Sequence, residues 1–323
     1  MAGLFVRGDR EIRRIYRESY SLWGIGLTPE GYFGFWQDIR ATAWGSRYLD
    51  FLTWEEGGAI LSSMKRYRPL VRSDGSTGRA TVIGAVYTPA RYRREGHAAA
   101  MIRAVLDEAR GAGDRLALLF TDIGTAYYRG LGFQTLPATS AMAGLIPARQ
   151  PIHGPIELSP VGPACLPQVR EAHEAGMSGL GLHIVRDREH WDFILTRADR
   201  YFSRAAGSGQ RFLAAHRAGS FIGYLVDMEA DGEWEIREVG STDGSPETMA
   251  DILRAAACEK PRRTVRAAYG WLPPALIECL PDWDWTVLPR DRAIPMIATI
   301  GATDISDPPA GRLNSFFPYM DQF

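Results

Sequence analysis

The sequence predicts an α/β fold in which a mixed central sheet is flanked by helices, and two observations predict it. From Thr81 to Phe133, a β-rich segment, a turn, an amphipathic helix and a continuous apolar strand follow one another. The same order of strand, loop and helix returns in weaker form between Trp234 and Cys258. We therefore expect two units of one type, the second of them a degenerate copy.

The composition excludes several function classes. With 46% hydrophobic and 23% charged residues, the 323-residue chain can bury two ordinary cores. Lys and Arg number 37 against 38 for Asp and Glu, so no broad basic field favours nucleic acid or an anionic membrane as a partner. The three cysteines have no C-x-x-C spacing, which argues against a disulfide framework and structural zinc, and no metal is expected.

We also expect neither a membrane span nor a signal peptide. No apolar run approaches a membrane span, and the first ten residues have no signal-peptide core. We expect a soluble cytoplasmic protein that acts on a small molecule. The sequence leaves open whether it forms homo-oligomers.

The periodicity predicts helices over Asp9–Trp23 and Pro29–Thr42, followed by two strands that are broken at Glu55-Glu56-Gly57-Gly58. A loop is predicted over residues 73–78. Proline and glycine cluster near residue 150, which predicts one domain over residues 1–150 and another over residues 151–323.

The turn after the β-rich segment has the features of an anion site. The strand Ala80–Tyr87 is closed by Pro89, and helical periodicity begins after Gly96. The unpaired amides and positive dipole of a helix N-terminus favour an anion, and Arg93 and Arg94 add positive charge. A pyrophosphate fits this site.

The order Arg-x-x-Gly-x-Ala, helix, strand and Tyr-x-x-x-Gly-Phe resembles the Gcn5-related N-acetyltransferase (GNAT) superfamily. The resemblance implies tandem acyl-CoA N-acyltransferase folds, with acetyl-CoA as the acyl-donor substrate. The cofactor-binding positions that it implies are Val86, Tyr87, Thr88, Arg93, Arg94, Glu95, Gly96, His97, Ala98 and Tyr128.

Two segments, residues 86–98 and 119–128, are most similar to fungal lysine N6-acetyltransferases and their relatives. One departure is Arg94-Glu95, where such loops usually have glycine first. A side chain at that turn limits how closely a phosphate approaches the backbone.

The reaction implied by the resemblance is direct attack of an amine on the thioester carbonyl. An amide between Val86 and Thr88 would hold the oxyanion, and Tyr128 would lie near the sulfur. Tyr127 is expected to face the core.

An alkylamine is mostly protonated at pH 7, so a base is expected. The candidates are Glu55, Glu56, Asp122 and the terminal carboxylate of Phe323. Glu55 and Glu56 are alternatively a solvated turn, Asp122 alternatively caps the helix that carries Tyr128, and the aromatic tail at Phe323 alternatively covers apolar surface.

The tandem order resembles the enhanced-intracellular-survival acetyltransferases, in which a C-terminal carboxylate is the base. Those enzymes carry a further sterol-carrier-like domain, for which this chain is expected to be too short. In the second half, the loop over residues 241–246 has Asp243 and no arginine, so that copy is expected to bind no cofactor.

We expect N-acetylation of a small amine, such as lysine, an aminoglycoside-like compound or a secondary metabolite. One alternative is other acyl-CoA chemistry, with a longer acyl donor or a decarboxylation, and another is a non-catalytic CoA sensor. The aromatic group of the first helices either lines the acceptor site or packs the core. It consists of Trp23, Tyr32, Phe33, Phe35, Trp36 and Trp44.

Overall fold

The computed structural model describes residues 2–24, 26–144, 151–204, 209–230, 232–259, 267–300 and 314–321, and the account below concerns these residues. The α-helices are α1 Asp9–Trp23, α2 Pro29–Ala41, α3 Ala43–Tyr48, α4 His97–Gly111, α5 Ala126–Arg129, α6 Leu166–Met177, α7 Arg188–Arg204, α8 Pro246–Glu259 and α9 Pro274–Glu278. The first strands are β1 Gly3–Val6, β2 Leu49–Glu56, β3 Ala59–Tyr67, β4 Leu70–Ser73, β5 Ser76–Arg79, β6 Thr81–Tyr87, β7 Leu116–Thr121, β8 Gln134–Thr135 and β9 Thr139–Ala143. The remaining strands are β10 Glu157–Pro160, β11 Leu182–Val185, β12 Arg211–Arg217, β13 Ser220–Ala230, β14 Glu233–Ser241, β15 Ala267–Gly270, β16 Trp285–Pro289 and β17 Ile294–Thr299.

Two large sheets share one strand pattern. The first has the order β1-β2-β3-β6-β7-β17-β8, and the second has the order β10-β12-β13-β14-β15-β9-β16. In each sheet the fourth and fifth strands are parallel, and every other neighbouring pair is antiparallel. The second half of the chain therefore repeats the architecture of the first, and the predicted tandem fold is confirmed.

The two sheets exchange one strand each. The first sheet takes β17 from the far end of the chain, and this strand lies between β7 and β8. The second sheet takes β9 from the first half, between β15 and β16. The division near residue 150 stays a prediction, and the hydrogen bonds show that each sheet includes a strand from across that position.

Further packing joins the halves. The strand β11 pairs with the β4–β5 hairpin in a small third sheet. The helices α2 and α3 pack on α7, where the ring of Trp44 lies 4.5 Å from that of Phe193. One apolar cluster therefore runs through both halves.

Most element positions agree with the sequence predictions, and the segment 73–78 does not. It was predicted as a loop, but it belongs to the hairpin β4–β5, whose turn is Asp74-Gly75 with φ of 48° and 80°. Asp-Gly is a favoured pair in two-residue hairpins because both positions need positive φ. None of the described helices is both long and apolar enough to cross a membrane.

Candidate active site

The parallel strands β6 and β7 separate before they end. They pair from Thr81–Ala117 to Ile83–Leu119 and no further. Ala85 has φ of 49°, and the register between β3 and β6 shifts between Ser63 and Lys65, so the backbone bulges there. A gap therefore opens between the carboxyl ends of β6 and β7.

The helix α4 begins beside this gap with an open N-terminus. Its first backbone hydrogen bond runs from Ala100 N to Gly96 O (3.0 Å), and no side chain caps it. The amides of His97, Ala98 and Ala99 therefore precede the helical ladder and can hold an anion. Gly96 has φ of 83°, and no atom lies within 4 Å of the place a Cβ would take, so a phosphate could approach it closely.

The unusual loop sequence before Gly96 strains the backbone. Arg94, at the departure from the usual glycine, adopts φ of 68°, which is a strained conformation for a residue with a side chain. Arg93 and Arg94 are both exposed. Glu95 contacts the His97 ring, with Oε2 3.0 Å from Nε2, so its carboxylate has a local partner.

The predicted positions at the end of β6 are held by hydrogen bonds. Ser62 Oγ donates to Tyr87 O (2.9 Å) and lies 3.0 Å from Thr88 Oγ1. Arg93 Nε donates to Thr88 O (3.0 Å). Val86 packs on the apolar cluster under α4. These contacts fix the strand that forms one wall of the gap.

Tyr128 lies on the single-turn helix α5, after β7. Its side chain is 7% exposed, whereas Tyr127 is 43% exposed, so the prediction that Tyr127 faces the core is wrong. Tyr128 rather than Tyr127 packs with Phe133 and the α4 side chains. Burial, with smaller contributions from Tyr127 and Asp122, raises the pKa of Tyr128 to about 12. The phenol therefore keeps its proton at neutral pH.

A cavity of about 450 Å³ lies between the two halves and touches both β6 and β7 where they separate. We call it the central cavity. Its lining residues are Trp23, Leu27, Tyr32, Phe35, Trp36, Lys65, Gly84, Ala85, Phe120, Asp122, Arg197, Ala198, Tyr201, Gln210, Arg237 and Met320.

Four of the six aromatic residues singled out in the sequence therefore line this cavity. The other two are buried outside it: Phe33 lies in the core, and Trp44 stacks on His190 with ring centroids 4.4 Å apart. Phe33 and Trp44 therefore pack the core, and an acceptor-site role for the other four stays a prediction.

The candidate bases lie in different surroundings. Asp122 lines the central cavity, and its Oδ1 accepts a hydrogen bond from Ala293 N (2.7 Å). It does not cap α5, which has no side-chain cap. Glu55 lies elsewhere and accepts from Arg7 Nε (2.8 Å). Although partial burial opposes it, the bonds from Arg7 and Thr53 hold the pKa of Glu55 below its ordinary value. Glu56, beside it, is not part of the cavity lining.

Residues 314–321, the described part of the carboxyl-terminal segment, pack against the rest of the protein. Phe317 and Asp321 are buried, and Arg186 Nε donates to Asp321 Oδ1 (2.7 Å). Met320 reaches the central cavity. Phe323 lies outside the described residues, so its role as a base stays a prediction.

The loop of the second half contrasts with the loop at Gly96. Asp243 Oδ1 accepts from Ser245 N (2.9 Å), and Ser245 Oγ accepts from Thr248 N (3.1 Å). Partial burial opposes ionisation, yet the hydrogen bonds that Asp243 accepts from Ser245 N and Thr248 Oγ1 lower its pKa. The N-terminus of α8 is therefore filled by the chain's own carboxylate and hydroxyl, where that of α4 is open.

Several cavity residues escaped the sequence prediction: Lys65, Phe120, Arg197, Tyr201, Gln210 and Arg237. Four of them belong to the second half: Arg197 and Tyr201 lie on α7, Gln210 directly precedes β12, and Arg237 lies on β14. The sequence carries one signal for Lys65, which is one of only two lysines among the 37 Lys and Arg residues. In the described residues, no group of three or more His, Cys, Asp or Glu side chains could hold a metal ion.

Residues 29–136 match the sequence profile of the acetyltransferase (GNAT) domain. The first half of the chain thus contains a GNAT acetyltransferase domain. This domain makes the protein an acyltransferase. A comparison with curated proteins found no match.

Solved structures share the fold across both halves. A GCN5-related N-acetyltransferase from Anabaena variabilis has a TM-score of 0.72 at 14% identity, with 93% of this chain and 73% of that chain covered. A probable N-acyltransferase from Enterococcus faecalis gives 0.71 at 14% identity, with the same coverage. Eis1 from Mycobacterium abscessus gives 0.59 at 14% identity, covering 93% and 74%. The tandem architecture thus occurs in these structures, while the closeness to fungal lysine acetyltransferases stays a prediction.

Proposed function

We propose that the protein transfers the acetyl group of acetyl-CoA to the amine of a small molecule by direct attack. The observation that carries this proposal is that three features lie next to one another. The gap between β6 and β7 opens beside the uncapped N-terminus of α4, and Gly84 and Ala85 of the gap also line the central cavity. A donor in the gap and an acceptor in the cavity would meet at these two residues.

The donor site fits a diphosphate-bearing thioester. The amides of residues 97–99 and the exposed Arg93 and Arg94 would hold the diphosphate. The bulge at Ala85 interrupts the pairing of β6 with β3, and Ala85 lines the cavity, which supports an oxyanion site within the adjoining Val86 to Thr88.

Tyr128 suits hydrogen bonding to the sulfur better than full proton transfer. With its pKa raised to about 12, giving its proton to a thiolate of pKa ~8.5 is uphill by roughly 3.5 units, or about 5 kcal/mol. A phenol that stays protonated still donates a hydrogen bond to the developing charge. Asp122, in the cavity wall, is the described candidate to accept the amine proton.

The acceptor class is a small amine, with free lysine favoured by the resemblance of residues 86–98 and 119–128 to fungal lysine N6-acetyltransferases. The walls of the central cavity are mostly aromatic and apolar, and its volume is in the range of small-molecule sites.

The test is calorimetry with coenzyme A, followed by a panel of acyl-CoAs and amines with products identified by mass spectrometry. We expect CoA binding and an acetylated amine. A product that carries a longer acyl chain, or CoA binding with no turnover over the panel, would replace the proposal with other acyl-CoA chemistry or a sensor role. No CoA binding at all would overturn it.

A further inference from the structure

The polar lining of the central cavity is uneven in charge. Lys65, Arg197 and Arg237 contribute cations, whereas Asp122 is the one carboxylate among its described lining residues. Asp122 already accepts a hydrogen bond from Ala293 N. Arg237 is paired with Glu235 and Gln210, so its charge is largely met within the protein.

Lys65 is the unusual member of this set. It is 6% exposed, and it makes no ion pair with any described residue. Its Nζ lies 3.1 Å from the ring centroid of Trp36, and 5.8 and 5.7 Å from those of Tyr16 and Phe51. Aromatic rings stabilise a buried cation less strongly than a carboxylate does, so the amine of Lys65 lacks a full counterion.

The electrostatics agree with this geometry. Burial lowers the pKa of Lys65 well below its ordinary value, and the charge of Arg197 adds to the effect. Arg197, which also lines the cavity, donates to Met320 O (2.7 Å). An anion that enters the cavity would restore the charged form of Lys65 and supply its missing partner.

The position of Lys65 links this amine to the reaction. On β3 its Cα pairs with that of Gly84, which lies in the gap and in the cavity lining. An anionic group bound to Lys65 would therefore lie within the same small cavity as an amine presented to the donor.

Resting on the proposed acetyltransferase function, we infer that the acceptor is an amine that also carries a carboxylate, and that Lys65 forms the ion pair with that carboxylate in the central cavity. The class is that of amino acids. A polycationic acceptor such as an aminoglycoside-like compound is disfavoured, because it brings no carboxylate to pair with Lys65.

The experiment compares matched acceptors, each amino acid against the amine without its carboxylate: lysine with cadaverine, phenylalanine with phenethylamine, and tryptophan with tryptamine. We expect the wild-type kcat/KM to favour the amino acid of the accepted pair by about 10²-fold or more. Lys65→Met should abolish that preference, because kcat/KM for the amino acid should fall much further than kcat/KM for the carboxylate-free amine. Lys65→Arg should restore part of it.

The matched control is Arg66→Met. Arg66 is the next residue on β3, but it pairs with Asp50 and Glu108 outside the cavity. This variant should keep the preference for the amino acid. Thermal melting checks folding: Lys65→Met should melt no lower than wild type, because it removes a buried amine that has no ion-pair partner.

The inference and the proposed function fail in different ways. An equal kcat/KM for both members of each pair, or an equal loss for both in Lys65→Met, would overturn the inference and leave the acetyltransferase proposal standing. Acetylation of no amine would overturn the proposed function. Calorimetry with 3-phenylpropionate, which has no amine, then tests the anion site. Binding to wild type but not to Lys65→Met would support that site, and any other result would overturn it.

Discussion

At the scale of single residues, Tyr128 is the side chain on which the proposed chemistry most directly depends. Tyr128→Phe removes a hydrogen-bond donor whose raised pKa keeps it protonated, so we expect turnover to fall about 10²-fold with little change in melting temperature. For the same reason, wild-type activity should show no loss below pH 10 from ionisation of this phenol. Steady-state kinetics with a varied amine, in a chemistry-limited regime, measures both.

Tyr127→Phe is the matched control, because Tyr127 is the exposed neighbour on the same helical turn. It should keep wild-type turnover. Equal activity of the two variants would remove Tyr128 from the mechanism.

His190 gives a second prediction at this scale. It is buried against Trp44, and burial, with the charges of Arg186 and Arg197, lowers its pKa well below the ordinary value. The unfolded chain therefore binds more protons at acidic pH. This contribution to stability is complete above pH ~6.5 and is lost as the pH falls toward the folded pKa, by up to about 1.4 kcal/mol per pH unit.

His190→Phe keeps an aromatic ring against Trp44 and removes the titration. In urea unfolding between pH 7.5 and 5.5, its free energy of unfolding should fall less steeply than that of wild type. Parallel pH dependence of the two proteins would show that His190 is not the group responsible.

At the scale of elements, the two corresponding helix N-termini differ in what fills them. The N-terminus of α8 holds Asp243, and that of α4 holds no side chain. Gly96→Asp would place a carboxylate at the open end, at a positive φ that Asp tolerates better than most residues. We expect CoA affinity to fall by about 10²-fold or more through repulsion and occupied amides, as measured by calorimetry.

Gly113→Asp is the control for this change, since Gly113 follows the other end of α4 with nearly the same φ of 82° and open space around it. It should leave CoA affinity unchanged. A similar loss in both variants would mean that the substitution acts through the stability of α4 rather than through the phosphate site.

The elements also show why the sequence predicted some features and missed others. The helix α1 and the strand β6 were predicted with nearly their observed bounds, because apolar periodicity and Gly or Pro boundaries are local signals. The strand β17 escaped, because its place beside β7 depends on residues more than 150 positions away. The loop at Gly96 and the position of Tyr128 came from a motif, whereas the cationic cavity wall comes from α7 and β14, which no local pattern relates to β3.

At the scale of the whole molecule, the exchanged strands should make folding cooperative across both halves. Met296 on β17 is fully buried in the core of the first sheet, although it belongs to the second half of the chain. Met296→Ala leaves a cavity there and should destabilise the protein by about 2–4 kcal/mol. The strand β17 directly follows β16, which belongs to the second sheet. Release of β17 from the first sheet should therefore disturb the second sheet as well, and we expect one unfolding transition at a lower temperature.

Calorimetry tests this through the ratio of van't Hoff to calorimetric enthalpy, which should stay near one in both proteins. Hydrogen exchange gives the regional readout, since amides of β13 and α8 in the second half should lose protection together with those of β3 and α4. Ala257→Gly on α8 is the reciprocal variant, buried in the core of the second sheet, and it should lower the same single transition. Two separate transitions, each moved by only one of the substitutions, would show that the halves unfold independently despite the strands they share.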